Sequence, residues 1–253
     1  MADFTKNESG VFLEGIISVN AAIASKKRNI NNIYIDKSKY EKRDRKITHL
    51  ISAIKKQNIP YSLCDRSYID SLADGTSHGG VVANVGDFKY TDLSMMLNKM
   101  TGHEYAVMLD GVEDPFNFGY SIRNLFAFGC KHFIIPKRNW MTASNVVATS
   151  SAGASELCDM AVIDSDEALV KELKVNNFDI VCSALSATST PLFEFRPDKP
   201  FVLFIGGEKR GISKAFMDNA DRVIHIPYAN ESAKYSLPTA SCAAIFGSYL
   251  SSI

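Results

Sequence analysis

The chain is predicted to be an α/β protein in two parts, a small basic α/β/α unit followed by a larger unit built on a mostly parallel sheet. Three observations predict it. Short apolar runs alternate with helical periodicity through nearly all of the 253 residues, the pattern of strands joined by crossover helices. That length is enough for two cores. The charge is also unevenly placed: the formal net charge is zero, yet residues 1–60 hold twelve Lys and Arg against six Asp and Glu, and the remainder sixteen against twenty-two.

The first unit, 1–88, reads as a helix over 14–24, a strand over 33–35, a basic helix over 44–57, a strand over 61–64 and an apolar segment over 81–85. Residues 89–104 contain no long apolar run and read as a linker. From Tyr105 the alternation resumes: strand 105–109, helix 120–128 stopped by Gly129, strand 132–135, helix 145–152, strand 160–163, helix 166–175 and strand 178–184. Strand 201–205, helix 213–219, strand 222–226 and a terminal helix 239–250 complete the unit 105–253. Strands separated by helices pair in parallel, and threaded chains are rare, so general rules favour an unknotted doubly wound sheet.

Bulk features narrow the function classes. No secretory leader is visible and no apolar run approaches the ~18 residues of a membrane span, so a soluble cytoplasmic protein is expected. The five cysteines are odd in number and dispersed with no CxxC pair, which implies a reducing compartment. No histidine pattern has metal-ligand spacing, so no metal is expected, and His225 between Ile224 and Ile226 reads as an ordinary strand residue.

Three segments share the form strand, irregular loop, helix: DGVEDPFNFGYSIRNLFAFG (110–129, with the strand just before it), FVLFIGGEKRGIS (201–213) and IPYANESAKYSLPTASCAAIFGSYL (226–250). Ligands of open α/β sheets bind beyond the carboxyl ends of strands, which puts Asn117 and Arg123 on that rim. Gly206 and Gly207 lack a Cβ and are expected to let a ligand approach the backbone. Their order, GGEKRG over 206–211, is not the GxGxxG of a dinucleotide site, and no acidic residue follows at the required distance. An oxidoreductase is thereby excluded.

Together with ATSSAGASE (148–156) and SHGGVVANV (77–85), these segments resemble the SpoU/TrmH group of SPOUT methyltransferases, over nearly the whole chain. The resemblance implies transfer of a methyl group from S-adenosylmethionine to a ribose 2′-hydroxyl of RNA, more readily ribosomal than transfer RNA. It also implies a trefoil knot near the C-terminus with the cofactor in the knotted loops, and an N-terminal domain related to ribosomal RNA-binding proteins. Under it Ala184, Ile205, Gly206, Gly207, Glu208, Ile226, Pro227, Ser236 and Leu237 hold the cofactor, and Asn117, Arg123, Glu208 and Ser236 carry the chemistry. Arg123 matches the residue cast as general base. A guanidinium rarely loses its proton, so gripping the adjacent phosphate and stabilising the alkoxide is the alternative role. Where the family motif has asparagine after Ser-Leu, this chain has Pro238, and two extra residues separate Asn230 from Ser236. A catalytically weak RNA-binding or ribosome-assembly module is therefore the competing reading.

Lys26, Lys27, Arg28, Lys42, Arg43 and Arg45 are the expected RNA contacts, since clustered cations neutralise phosphates and release counterions. The resemblance further implies a homodimer through the C-terminal domain, each active site completed near the subunit boundary. Ala240, Ala243, Ala244, Phe246, Gly247 and Tyr249 make the last helix small or apolar around much of its circumference, as expected of a helix at that interface.

Overall fold

A computed structural model describes residues 10–102, 104–137, 144–230, 232 and 235–253. In chain order the first elements are β1 (Val11–Glu14), α1 (Ile16–Ser25), β2 (Ile30–Asp36), α2 (Lys37–Glu41), α3 (Arg45–Lys56), β3 (Tyr61–Cys64), α4 (Arg66–Leu72) and β4 (Val81–Val85). Then come α5 (Leu93–Lys99), β5 (Tyr105–Asp110), α6 (Pro115–Ala127), β6 (His132–Pro136), α7 (Ser144–Ser150), α8 (Ala154–Leu157) and β7 (Asp159–Ile163). The last are α9 (Asp166–Val175), β8 (Asp179–Ser183), β9 (Thr190–Pro191), β10 (Phe201–Gly206), α10 (Lys214–Asp218), β11 (Arg222–His225) and α11 (Thr239–Leu250).

The chain divides into two compact units, 1–89 with 144–157, and 90–143 with 158–253. In the first, a four-stranded sheet runs in the order β1-β4-β2-β3, with β4 antiparallel to β1 and β2, and β2 parallel to β3. Helix α3 shows why the local sequence folds as it does. The Asp44 carboxylate accepts from the Lys46 and Ile47 amides at its N-terminus, and Ile47, Leu50, Ile51 and Ile54, at helical spacing, join Ile33, Ile35 and Val81 in the core. Helices α7 and α8, drawn from the middle of the chain, belong to this unit. Ser18 Oγ donates to the Ala148 carbonyl, and Gly153, at φ +79°, lies so close to α1 that a Cβ there would be 2.8 Å from Ala21 Cβ.

The second unit holds a seven-stranded sheet in the order β7-β6-β5-β10-β8-β11-β9, parallel at every pairing among the described residues. Its central strands are buried on both faces, Val202, Phe204, Met108, Ile180 and Cys182 meeting Phe216 and Leu173 in one core, as parallel sheets require. No described helix is long and apolar enough to cross a membrane.

Two departures from the sequence-based expectation have clear causes. The stretch expected as a linker contains α5, because Asp92 caps it by accepting from the Met95 amide and Met96 and Leu97 are buried in the second unit's core. Helix α6 starts at Pro115 rather than near 120. Asp114 accepts from the Phe116 and Asn117 amides and Pro115 occupies the first helical position, so capping outweighs the turn tendency of the Asn and Gly that follow.

Candidate active site

The site grows from a crossing of two loops. Asp110 ends β5, and its carbonyl accepts from the Gly207 amide at 2.7 Å, while its buried carboxylate accepts from the Ser213 amide at 2.6 Å. Gly211 N–H donates to the Gly207 carbonyl at 2.8 Å, closing the 207–211 turn. A Cβ on Gly207 would fall on the Gly111 carbonyl, and one on Gly206 would stand 2.8 Å from the Gly211 carbonyl carbon. These glycines thus allow backbone to pass backbone as well as leaving the backbone open on the cavity side. The ordering of the 206–212 loop against residues 110–112 is the result.

Beyond this crossing, the carboxyl ends of the adjacent strands β10, β8 and β11 open onto a cavity of about 970 Å³. Its walls are largely apolar, with Ile205, Met217, Ile226, Leu237 and Phe246, and its polar lining includes Ser183, Glu208, Arg210, His225, Asn230 and Ser236. Helix α11 closes one side. Pro238 precedes its first turn, and the Pro238 carbonyl accepts from the Ser241 and Cys242 amides at 2.9 and 3.0 Å. Thr239 Oγ1 donates to the Gly206 carbonyl at 3.3 Å, tying the helix to β10. In the preceding loop Tyr228 Oη accepts from the Leu237 amide at 3.1 Å. Burial, with Glu208 nearby, pushes the Cys242 thiol up, so this lining cysteine stays protonated and unreactive.

All nine residues expected to hold a cofactor, Ala184, Ile205, Gly206, Gly207, Glu208, Ile226, Pro227, Ser236 and Leu237, line this one cavity. They come from three chain segments. Residues 104–247 match the SpoU rRNA methylase family, and residues 12–91 match the substrate-binding domain of RNA 2′-O-ribose methyltransferases. The chain belongs to the SpoU family. It is a methyltransferase whose family draws its methyl group from S-adenosylmethionine. It is 26% identical over 235 residues to RlmB of Escherichia coli (strain K12), a 23S rRNA (guanosine-2′-O-)-methyltransferase, covering 92% of this chain and 95% of that one. To a Staphylococcus haemolyticus (strain JCSC1435) protein assigned to the TrmH family of tRNA/rRNA methyltransferases it is 29% identical over 220 residues, 86% of each chain. The fold is that of the SpoU methyltransferase AviRb from Streptomyces viridochromogenes in complex with AdoMet, at a TM-score of 0.76 and 17% identity, covering 96% of this chain and 89% of that one.

The two remaining SpoU motif residues lie apart from the cavity. Asn117 lines a smaller hollow of about 120 Å³ with Gly111, Asp114, Gly207, Glu208 and Thr239, so Gly207 and Glu208 border both spaces. Arg123 lines neither, is exposed, and its side chain has no hydrogen bond or ion pair among the described residues. It sits on an outward stripe of α6 with Phe116 and Tyr120, which are 52% and 46% exposed. The flank of α6 beside this stripe packs on α11 of the same chain: Asn124 Nδ2 donates to the Ala240 carbonyl at 2.8 Å, and Gly247 lies against the Phe128 ring. Ala243, Phe246 and Gly247 are therefore buried within the chain. Of the set expected at a subunit boundary, Ala240, Ala244 and Tyr249 are the ones left partly exposed.

The basic residues divide. Lys42, Arg43 and Arg45 are exposed around the α2–α3 turn, and Lys26 is exposed at the end of α1. Lys27 Nζ donates to the Leu157 carbonyl at 3.4 Å. Arg28 is not a surface cation. Its side chain and that of Glu156 are 3% and 2% exposed, joined at 2.8 Å and again at 3.1 Å. Arg28 Nη1 donates to the Gly86 carbonyl at 3.0 Å, and its guanidinium lies over the Phe88 ring. A buried forked pair of this kind is unavailable to phosphate, which removes Arg28 from the RNA contacts.

Sequence reasoning missed Asp110, which braces the crossing, and Tyr228, Asn230, Tyr235 and Arg210 around the cavity. The acid closing an apolar strand before glycine was a usable signal for Asp110. The tyrosines had none, because their place depends on the loop fold.

Proposed function

We propose that the chain transfers a methyl group from S-adenosylmethionine to a ribose 2′-hydroxyl of structured RNA, ribosomal rather than transfer RNA. The observation that carries this is the convergence of three motif loops on one cavity large and apolar enough for a nucleoside, with polar groups at its margin. Ile205, Ile226 and Leu237 supply flat apolar wall for a purine, and the backbone groups of residues 205–207 and 226–237 supply donors and acceptors at the rim. The cofactor contributes a methyl on a cationic sulfur, already activated for in-line displacement. Glu208, bordering cavity and hollow alike, orients groups at their junction, and Ser236 holds the rim opposite. Asn117 braces the loop or the target ribose phosphate. The ribosomal assignment is favoured by likeness to RlmB across nearly the full chain.

Arg123 grips the phosphate beside the target ribose and stabilises the oxygen as it loses its proton. Its exposure, its lack of a partner among the described residues and its absence from both spaces favour delivery to the active site of a second copy. A homodimer is part of the reading, formed by the second unit with the Phe116, Tyr120 and Arg123 stripe of α6 at its interface beside α11. The same reading includes a knot, favoured by the close crossing of residues 207 and 111 and the return of α11 onto α6. Lys26, Lys42, Arg43 and Arg45 then contact RNA phosphates. The test is transfer of labelled methyl to total RNA, followed by mapping of 2′-O-methyl positions with and without the protein. Binding of S-adenosylmethionine without any transfer to RNA would leave the binding or assembly module as the function.

A further inference from the structure

Strand β9 pairs with β11, with Thr190 opposite Ile224 and Pro191 opposite His225, which brings the 186–189 turn beside the His225 ring. Ser189 Oγ stands 2.8 Å from the Ser186 carbonyl oxygen, 3.0 Å from the Ser186 amide nitrogen and 2.9 Å from His225 Nδ1. Two oxygens at that separation need a hydrogen between them, and a hydroxyl has one. Ser189 therefore donates to the Ser186 carbonyl, and its lone pairs accept from the Ser186 amide and from Nδ1–H. In its neutral form the ring then carries the proton on Nδ1 and a lone pair on Nε2. His225 lines the 970 Å³ cavity while Ser189 does not, and with Nδ1 engaged by the turn, Nε2 is the ring nitrogen left for a ligand.

We propose that His225, its tautomer set by Ser189, determines cofactor specificity by accepting a hydrogen bond at Nε2 from a hydroxyl or amino group of the nucleoside. This rests on the reading of the cavity as the S-adenosylmethionine site. The other polar side chains around the cavity differ in kind: Ser183, Ser236, Tyr228 and Tyr235 carry hydroxyls that donate or accept, Tyr228 already accepting from the Leu237 amide, Asn230 can do both, Glu208 is anionic and Arg210 only donates. A neutral acceptor recognises a donor on the uncharged part of the ligand and adds no positive charge beside a sulfonium. It discriminates against ligands that present only acceptors there.

The experiment is calorimetry on the full chain with S-adenosylmethionine, adenosine, 2′-deoxyadenosine, 3′-deoxyadenosine and purine riboside, alongside methyl-transfer kinetics. His225→Leu should weaken S-adenosylmethionine binding about tenfold, the size of one neutral hydrogen bond. It should raise the KM for the cofactor by a similar factor while leaving kcat at saturation unchanged. His225→Gln, which returns an acceptor oxygen, should recover most of the loss, and Ser189→Ala should weaken binding by about threefold. In the wild type one nucleoside lacking a hydroxyl or the amino group should bind about tenfold more weakly than adenosine. In His225→Leu that difference should vanish, which names the donor. Unchanged affinity in His225→Leu, or a loss that leaves every analogue difference intact, overturns the inference alone. A wild type that binds no S-adenosylmethionine overturns the cavity reading and this inference with it.

Discussion

In the seven-stranded unit the motif arginine, Arg123, stands exposed on an outward stripe of α6, whereas in the four-stranded unit Arg28, the last of the basic run 26–28 just past α1, is buried against Glu156. Sequence reading assigns both of them to RNA. Their fates are decided by partners: Glu156 lies 128 residues from Arg28 in sequence and is brought to it because α8 folds with the first unit, while Arg123 meets no such partner among the described residues. A cation with a buried forked carboxylate is a structural element. One left unpaired on an apolar stripe is available to a ligand or a second chain.

The largest expected effect follows from breaking the buried pair. Glu156→Gln should destabilise the protein by about 3–5 kcal/mol, because it leaves the Arg28 charge buried without its counter-ion. Denaturant unfolding followed by tryptophan-independent circular dichroism measures it. Arg28→Met combined with Glu156→Leu should recover most of that stability, since an apolar pair of similar volume removes both desolvation costs. RNA affinity of the double variant should stay near wild type. A stable double variant with weakened RNA binding would return Arg28 to the interface.

Next comes Arg123→Ala, expected to lower methyl transfer by about 10²–10³-fold, the range for removing one stabilising donor from a developing oxyanion. Thermal stability and cofactor affinity should be nearly unchanged, because Arg123 has no partner among the described residues and lines neither the cavity nor the hollow. Lysine at this position should not rescue, lacking the planar fork. Retention of more than about half of the activity would remove Arg123 from the reaction and leave the contrast with Arg28 without functional meaning. Mixing Arg123→Ala with a cavity-blocked Ala184→Trp chain should restore activity if the arginine serves a second copy.

The fold was largely legible in the sequence because strand runs such as 105–109 and 201–205 are apolar throughout, as strands covered on both faces must be. The terminal helix and the 166–175 helix were legible from period alone. What was hidden depends on distance along the chain. Nothing local shows that residues 144–157 fold with α1, or that Gly207 is required by the Gly111 carbonyl. The nine cavity residues were reachable through motif likeness, yet the His225–Ser189 pair, 36 residues apart, is brought together only by the β9–β11 pairing.

A smaller effect, in association rather than chemistry, separates the two faces of α6. Tyr120→Arg places a charge on the exposed stripe and should shift a homodimer to monomer in sedimentation at micromolar concentration, while leaving the α6–α11 packing intact. Ala243→Arg would be a poor probe, since Ala243 is fully buried inside the chain. A Tyr120→Arg protein that remains dimeric and fully active would place any interface elsewhere.

The smallest effect belongs to the basic face of the first unit. Lys42, Arg43 and Arg45 are exposed around one turn, and none has a hydrogen-bonded or ion-paired side chain among the described residues, so neutralising all three to Gln should cost almost no stability. If each neutralises one phosphate, the slope of log affinity against log salt should become shallower by roughly 2–3 units. The loss should be uniform across RNA sequences, because phosphate contacts position the nucleic acid without reading its bases. Arg28 offers the internal contrast: with its charge already paired to Glu156, the Arg28→Met, Glu156→Leu chain should keep the wild-type slope. An unchanged slope in the triple variant would show that this face does not meet RNA, and the substrate-binding role of the unit would have to rest on another of its surfaces.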